Sequence, residues 1–193
     1  MVNRLRHEDR ALIAAAVKDA EARTEARLAV VIVPVSDRYH LVPVLCAAIV
    51  ALAAGGIMAL AWPEIALRRA FAVEAAIFIA FSLVLDWLPL RLLLVPRHLK
   101  QSHANSLAHR EFAARILAHP GRSGILFFVS LGEKYAQVLA DRPLHELAGE
   151  GSFETIVTEF IRQVRAGRMP DAIAVAVQSC GQILATHRPR KEL

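Results

Sequence analysis

The stretch "LAVVIVPVSDRYHLVPVLCAAIVALAAGGIMALAW", residues 28–62, decides how this chain folds, because its character changes part-way along. Leu28 to Val35 is apolar and β-branched, as a strand covered on both faces of a sheet must be. Pro34 has no N–H to donate, so it marks the end of that strand or an edge. Leu41 to Trp62 then carries no charged side chain, a run longer than the roughly 18 residues that define a transmembrane candidate. As a helix it spans about 33 Å at 1.5 Å per residue, enough for a hydrocarbon core. The chain leaves a half-built sheet to enter a membrane.

Downstream, Phe71 to Leu90 is a second apolar run, interrupted by Glu74 and Asp86. The short connector "PEIALRR" folds the two runs, about 41–62 and 71–90, into a transmembrane hairpin that returns the chain to its starting side. Tyr39, Trp62 and Trp87 fall near its ends, where aromatic side chains sit at membrane–water interfaces. A carboxylate at mid-membrane costs on the order of 3 kcal/mol and often marks a pathway. Glu74 and Asp86 both lie within about a turn of an expected helix end, where water and Arg69 or Arg91 reach them. A helix-packing or proton-linked role is the alternative for these two intramembrane polar residues.

The flanks read as one soluble domain. Leu12, Ile13, Ala16, Val17 and Ala20 recur at helical spacing, which predicts an amphipathic helix over about 7–24. A helix over about 100–118 follows the hairpin. "SGILFFVSL", Ser123 to Leu131, is a second continuously apolar strand; "GEK" turns, and "YAQVLA" returns as its partner. Ser152 is the expected N-cap of a helix whose Phe153, Ile156, Val157, Phe160, Ile161 and Val164 follow the i, i+3, i+4 rule. Gly167 ends it, and Pro170 opens a last helix with Ile173, Ala176, Val177, Cys180 and Leu184 as its buried stripe. The strands at 28–35 and 123–131, joined through the helix at 100–118, form a βαβ unit. The expected fold class is α/β: a small mixed sheet with helices on both sides, interrupted by a two-helix transmembrane hairpin. Residues 1–38 and 97–187 make the discontinuous domain, 39–96 the hairpin, and 188–193 a loose tail.

Composition agrees. Across 193 residues the hydrophobic share is 55% and the net charge is +5. The positive charge comes without an aromatic-interleaved basic motif or zinc-finger spacing, so no nucleic-acid partner is expected; attraction to an anionic bilayer surface is. Cys46 and Cys180 form neither a CxxC pattern nor a disulfide framework. The N-terminal "MVNRLRHEDRALIAAAVKDAEART" has no signal-peptide apolar core.

Candidate chemistry is sparse. Asp37, Glu133 and Asp141 fall at strand ends or turns, where a sheet can present carboxylates to a metal or phosphate ester. No metal-loop spacing links them, and ordinary turn roles are the other reading. His98, His103 and His109, with Glu111, suggest zinc, but His98 and His109 stand about 16 Å apart along a helix. One metal cannot bridge that distance, so no metal site and no cofactor are assigned. Nucleophile and phosphate-loop motifs are missing, and "AAGG", residues 53–56, reads as small residues easing helix packing.

"EFAARILAHPGRSGILFFVSLGEKYAQVLAD" and "FETIVTEFIRQVRAGRMPDAIAVAVQSCGQILATH" together resemble the TPM domain family. The likeness is to its bacterial membrane branch, which carries an apolar hairpin inside the domain. It covers about residues 5–36 and 103–187. It implies an α/β sandwich and, from functions reported across the family, two roles: photosystem repair, with acid phosphatase activity and calcium binding, or a receptor accessory role. Exported relatives carry Asp-Asn-Gly before the second strand; this chain has Arg122-Ser123-Gly124, a basic residue in the acidic place. The expected function is therefore a membrane-anchored interaction or regulatory module, without chemistry of its own, acting on another membrane or envelope protein. A calcium- or magnesium-dependent phosphomonoesterase using Asp37 and Glu133 is the alternative.

Arg23, Arg27, Arg38, Arg91, Arg97, Lys100 and Arg110 flank the domain side of the hairpin, against Arg68 and Arg69 in its loop. The positive-inside rule then places the hairpin in the inner membrane with the domain in the cytoplasm. If the first two strands run parallel, the 132–134 turn lies at the membrane-facing edge. Arg38, Arg97, Lys100 and Lys134 are then expected to form a basic collar on anionic headgroups.

Overall fold

The run that reads as continuously apolar is the centre strand of the domain, and its neighbours explain that composition. The structure, a computed structural model, describes residues 7–36, 41–62, 64, 66–85, 87, 95–118, 121, 123–149 and 151–190. Among them, β1 (Arg27–Val33), β2 (Gly124–Ser130) and β3 (Tyr135–Ala140) form a three-stranded sheet in that order. β1 pairs parallel with β2, Val30 opposite Phe127, and β3 returns antiparallel, Val138 opposite Phe127. Every residue of β2 is buried, because it is flanked on both edges and covered on both faces.

The period-2 alternation of a strand sorts its side chains. Ile125, Phe127 and Val129 of β2, with Leu28 and Val138, pack on α1 (His7–Ala22), α6 (Ser152–Arg165) and α7 (Met169–His187). Phe127 and Phe160 meet edge to face at 5.1 Å. Leu126 and Phe128, with Val31, turn to the other face against Ala104 and Ala108 of α4 (Arg97–Phe112) and Ile116. α4 runs into a π-helical turn, Ala113–Leu117, closed by Ala118 N–H on the Ala113 carbonyl at 3.0 Å. Two faces covered by helices make this a mixed α/β domain in which helices dominate.

Two glycines are dictated by close approach. A Cβ on Gly124 would stand 2.2 Å from the Arg27 carbonyl oxygen, where β1 and β2 begin together. A Cβ on Gly181 would stand 2.6 Å from the Ala20 Cβ, where α7 crosses α1.

Three readings of the sequence need correction here. A helix forms at α5 (Arg142–Ala148), where none was expected. Its signals are local: Asp141 caps it and Pro143 sits in the first turn, where a missing N–H costs nothing. The N-cap of α6 is Gly151, not Ser152, whose hydroxyl instead donates back to the Ala148 carbonyl at 2.5 Å. The start of the tail, residues 188–190, is not loose. Thr24 is buried and its hydroxyl donates to the Arg188 carbonyl at 2.5 Å; Thr24 bridges Pro189, and Arg190 N–H donates to Arg23 O at 3.2 Å. α7 ends beside the end of α1, so its last carbonyls find donors there. Residues 191–193 lie outside the described set.

The chain divides into two compact units, Met1–Ser36 with Gln101–Leu193, and Asp37–Lys100. Within the second, α2 (Leu41–Ala61) and α3 (Leu67–Leu85) pack on each other. Ala47 and Ala51 are buried, and Gly55 continues their i, i+4 row to face the Glu74 carboxylate. Among the described residues one helix, Val42–Ala61, is long and apolar enough to cross a membrane. Two such helices were expected. α3 starts at Leu67 and so takes in Arg68 and Arg69 besides Glu74, which makes it too charged by the same measure. Asp86 and most of the expected run beyond Leu85 lie outside the described residues.

Candidate functional site

The parallel pairing of β1 and β2 brings their C-terminal ends to one edge, where open α/β sheets place ligands. Leu131 N–H donates to the Val33 carbonyl at 3.0 Å and Gly132 N–H to the Pro34 carbonyl at 2.8 Å. The Gly132–Lys134 turn therefore lies against Pro34, two residues short of the unit boundary at Ser36. Lys134 closes this turn in the left-handed region, φ 52°, with its side chain exposed.

Glu133 is buried at this edge, 9% exposed. Its Oε1 accepts the Ser36 N–H at 2.8 Å; its Oε2 accepts the Ser36 hydroxyl at 3.1 Å and the Ser130 hydroxyl. A carboxylate taken out of water is tolerated when such donors surround it. Bonds to a charged acceptor stabilise by about 1.5–3 kcal/mol each. Glu133 thus clamps Ser36, three residues past the end of β1, onto the β2–β3 turn.

Asp141 works at the opposite end of the sheet. Its Oδ2 accepts Gly124 N–H at 2.8 Å and its Oδ1 accepts Leu144 N–H at 2.9 Å, joining the start of β2 to the start of α5. The length of β2, about 20 Å at roughly 3.3 Å per residue, separates it from Glu133. The expected acidic constellation is therefore not assembled from these two, and Asp37 lies outside the described residues. Among the described residues no group of three or more His, Cys, Asp or Glu is placed to hold one metal ion. His109 Nδ1 lies 2.9 Å from the Asn105 carbonyl one turn back on α4.

The remaining candidates are scattered. Arg97 and Lys100 open α4, Arg97 exposed and Lys100 half-buried; Arg38 and Arg122 lie outside the described residues. Glu74 sits seven residues into α3, about 10 Å along the axis. That is deeper than the single turn expected, because α3 starts before Phe71. The Cys180 thiol is buried, and burial pushes its pKa up to about 12, which removes it as a nucleophile. Sequence reasoning missed Ser36 and Ser130 as partners of Glu133. Hydroxyls carry no signal of their own until the fold brings residues 36 and 133 together.

No protein-family model matches the chain, and no curated protein matches it. Among solved structures, the NMR structure of the BA42 protein from the psychrophilic bacterium Bizionia argentinensis sp. nov. is similar, with a TM-score of 0.56 at 13% identity. The match covers 98% of this chain and 88% of that one. At that identity the likeness concerns the fold alone.

Proposed function

We propose that the protein is a membrane-anchored, TPM-like α/β module that binds and regulates another membrane or envelope protein, without chemistry of its own. The observation that carries this reading is the inverted packing of α2 and α3. Their seam holds Ala47, Ala51 and Gly55, while Leu45, Leu52, Ile57, Leu60, Phe71 and Leu83 are each at least 63% exposed. Leaving such side chains in water forgoes about 1.5–3 kcal/mol apiece, on the order of 10 kcal/mol for six. That rivals the whole stability of a domain, so the solvent for this pair is lipid. Small residues inside and large ones outside is the arrangement of helices that associate in a bilayer.

In this reading α2 and α3 enter the inner membrane as a pair. Glu74 turns into the seam against Gly55 rather than towards lipid, where a carboxylate would cost most. The clamp at Glu133 holds the chain's exit to the domain within a few residues of α2. The greater basic count on the domain side favours a cytoplasmic domain. Within this proposal, Arg38, Arg97 and Lys100 beside the hairpin and Lys134 on the β2–β3 turn each contribute about 1 kcal/mol where they meet anionic headgroups. A calcium- or magnesium-dependent phosphomonoesterase using Asp37 and Glu133 would require Glu133 to give up the Ser36 and Ser130 donors it now holds, so the binding module is the better account.

The test is photocrosslinking in native membranes, with the crosslinker carried at exposed positions on each face of the domain. A reproducible adduct to one membrane or envelope protein is expected. Adducts that vary between preparations, from every face, would sink the proposal.

A further inference from the structure

β1 is an edge strand, and its backbone shows which groups are left over. Arg27 N–H donates to the Ser123 carbonyl at 3.1 Å, and the Val33 carbonyl accepts from Leu131 at 3.0 Å. Residues 27, 29, 31 and 33 therefore turn their main-chain groups towards β2. Alternation directs those of Leu28, Val30 and Ile32 to the open side. Leu28 N–H is taken there by the Glu21 carboxylate at 3.2 Å. Val30 and Ile32 have no main-chain partner on that side among the described residues. Half-buried N–H and C=O groups of this kind are a template for another strand.

A groove of about 500 Å³ runs beside this edge, between β1 and α1. Ile13, Val17, Val30 and Ile32 form its apolar floor, and Arg10 and Lys18 stand exposed on its rim. Neither cation has an acidic partner among the described residues, and the nearby Glu21 is engaged by the strand. The floor suits alternate apolar side chains of an extended peptide; the rim suits carboxylates beside them. A second copy of this chain does not suit the groove, because its own β1 edge would bring a like-charged Arg10 and Lys18 rim against this one.

We propose that the α1–β1 groove receives an extended, acidic segment of the partner protein, which adds to the sheet as a fourth strand beside β1. This rests on the reading of the domain as an interaction module and names the surface and chemistry it uses. The Arg10 and Lys18 charges select the segment, and the Val30 and Ile32 main-chain groups hold it.

The test uses the full chain in lipid nanodiscs. The probe is a fluorescein-labelled peptide of about ten residues with alternate valines between aspartates; its comparator has lysines in place of the aspartates. Binding is read by fluorescence anisotropy, and the site by amide hydrogen exchange. The aspartate peptide is expected to bind on the order of tenfold more tightly than the lysine peptide, with Val30 and Ile32 amides newly protected. Arg10→Glu with Lys18→Glu, both exposed and clear of the core, should reverse that preference while β2 amides exchange as before. Equal binding of both peptides, binding of neither, or protection along β3 instead would overturn the proposal. The two readings fail separately. Crosslinks to a partner from another face, with no peptide bound, refute the groove and leave the module. Peptide binding with the protection pattern above, but no partner adduct, supports the groove and refutes the module's assignment to a membrane protein.

Discussion

Replacing Gly181 by alanine tests the packing of α7 on α1, and the structure sets two opposed terms. Alanine in a helix interior is favoured over glycine by about 0.8–1.0 kcal/mol, so on propensity alone the variant gains stability. The new Cβ, however, would lie 2.6 Å from the Ala20 Cβ, against an optimum of roughly 3.5–4.0 Å between carbons. Both atoms are bound directly to the backbone, so no rotamer relieves the overlap and the helices must part by about 1 Å. Overpacking of that kind costs typically 1–3 kcal/mol, and here it also opens the seam through Ala176, Val177 and Cys180. The clash should win, leaving Gly181→Ala about 1–2 kcal/mol less stable. Amide exchange of Ile125 to Val129 reads the global opening of the α/β unit without interference from α2 and α3. Those amides should exchange about 5–30 times faster. Ala20→Gly on the same background should restore part of the loss, with a coupling energy of about 1 kcal/mol or more. A Gly181→Ala protein whose β2 amides exchange as slowly as wild type would refute the close approach itself.

Other residues give independent checks. Glu133→Ala removes the acceptor for Ser36 and Ser130 and should cost about 2–3 kcal/mol by the same exchange measurement; Glu133→Gln keeps an acceptor oxygen and should cost less. Asp141→Ala, which strands the Gly124 and Leu144 N–H groups, should cost about 1–2 kcal/mol and unprotect the first turn of α5. Burial raises the Cys180 thiol to about 12 from an ordinary 9.0, so the folded state holds its proton more tightly than the unfolded chain. Its contribution to stability is complete below pH 9.0 and is lost as pH rises towards about 12. With Cys46 replaced, a thiol reagent at pH 8 should react only at the rate of unfolding. In intact cells an impermeant thiol reagent should label a cysteine placed in the 63–70 loop and not one at Ser152; the opposite pattern reverses the topology.

What the sequence determined by itself is whatever neighbours within a turn or a strand decide. β2 was legible because a strand buried on both faces must be apolar at every position. α2 was legible because a helix this long without charge has few stable settings. Phe153, Ile156 and Phe160 of α6 followed from spacing, though Ile161 of the same stripe is exposed, and the parallel βαβ order followed from two such strands separated by a helix. α5 could have been read from Asp141 and Pro143, and its shortness hid it.

The tertiary structure decided everything that depends on distant segments meeting. Ser36 and Glu133 are 97 residues apart, and nothing local marks them as partners. Glu133 and Asp141 look like neighbours in sequence, yet the extended strand β3 between them carries them to opposite ends of the sheet. Whether Gly181 is needed, whether the tail from Arg188 is held, and which edge of β1 stays open all follow from the way α1 lies across α7 and β1. Such contacts form only after long loops have closed, and the free energy that selects them belongs to the assembled core.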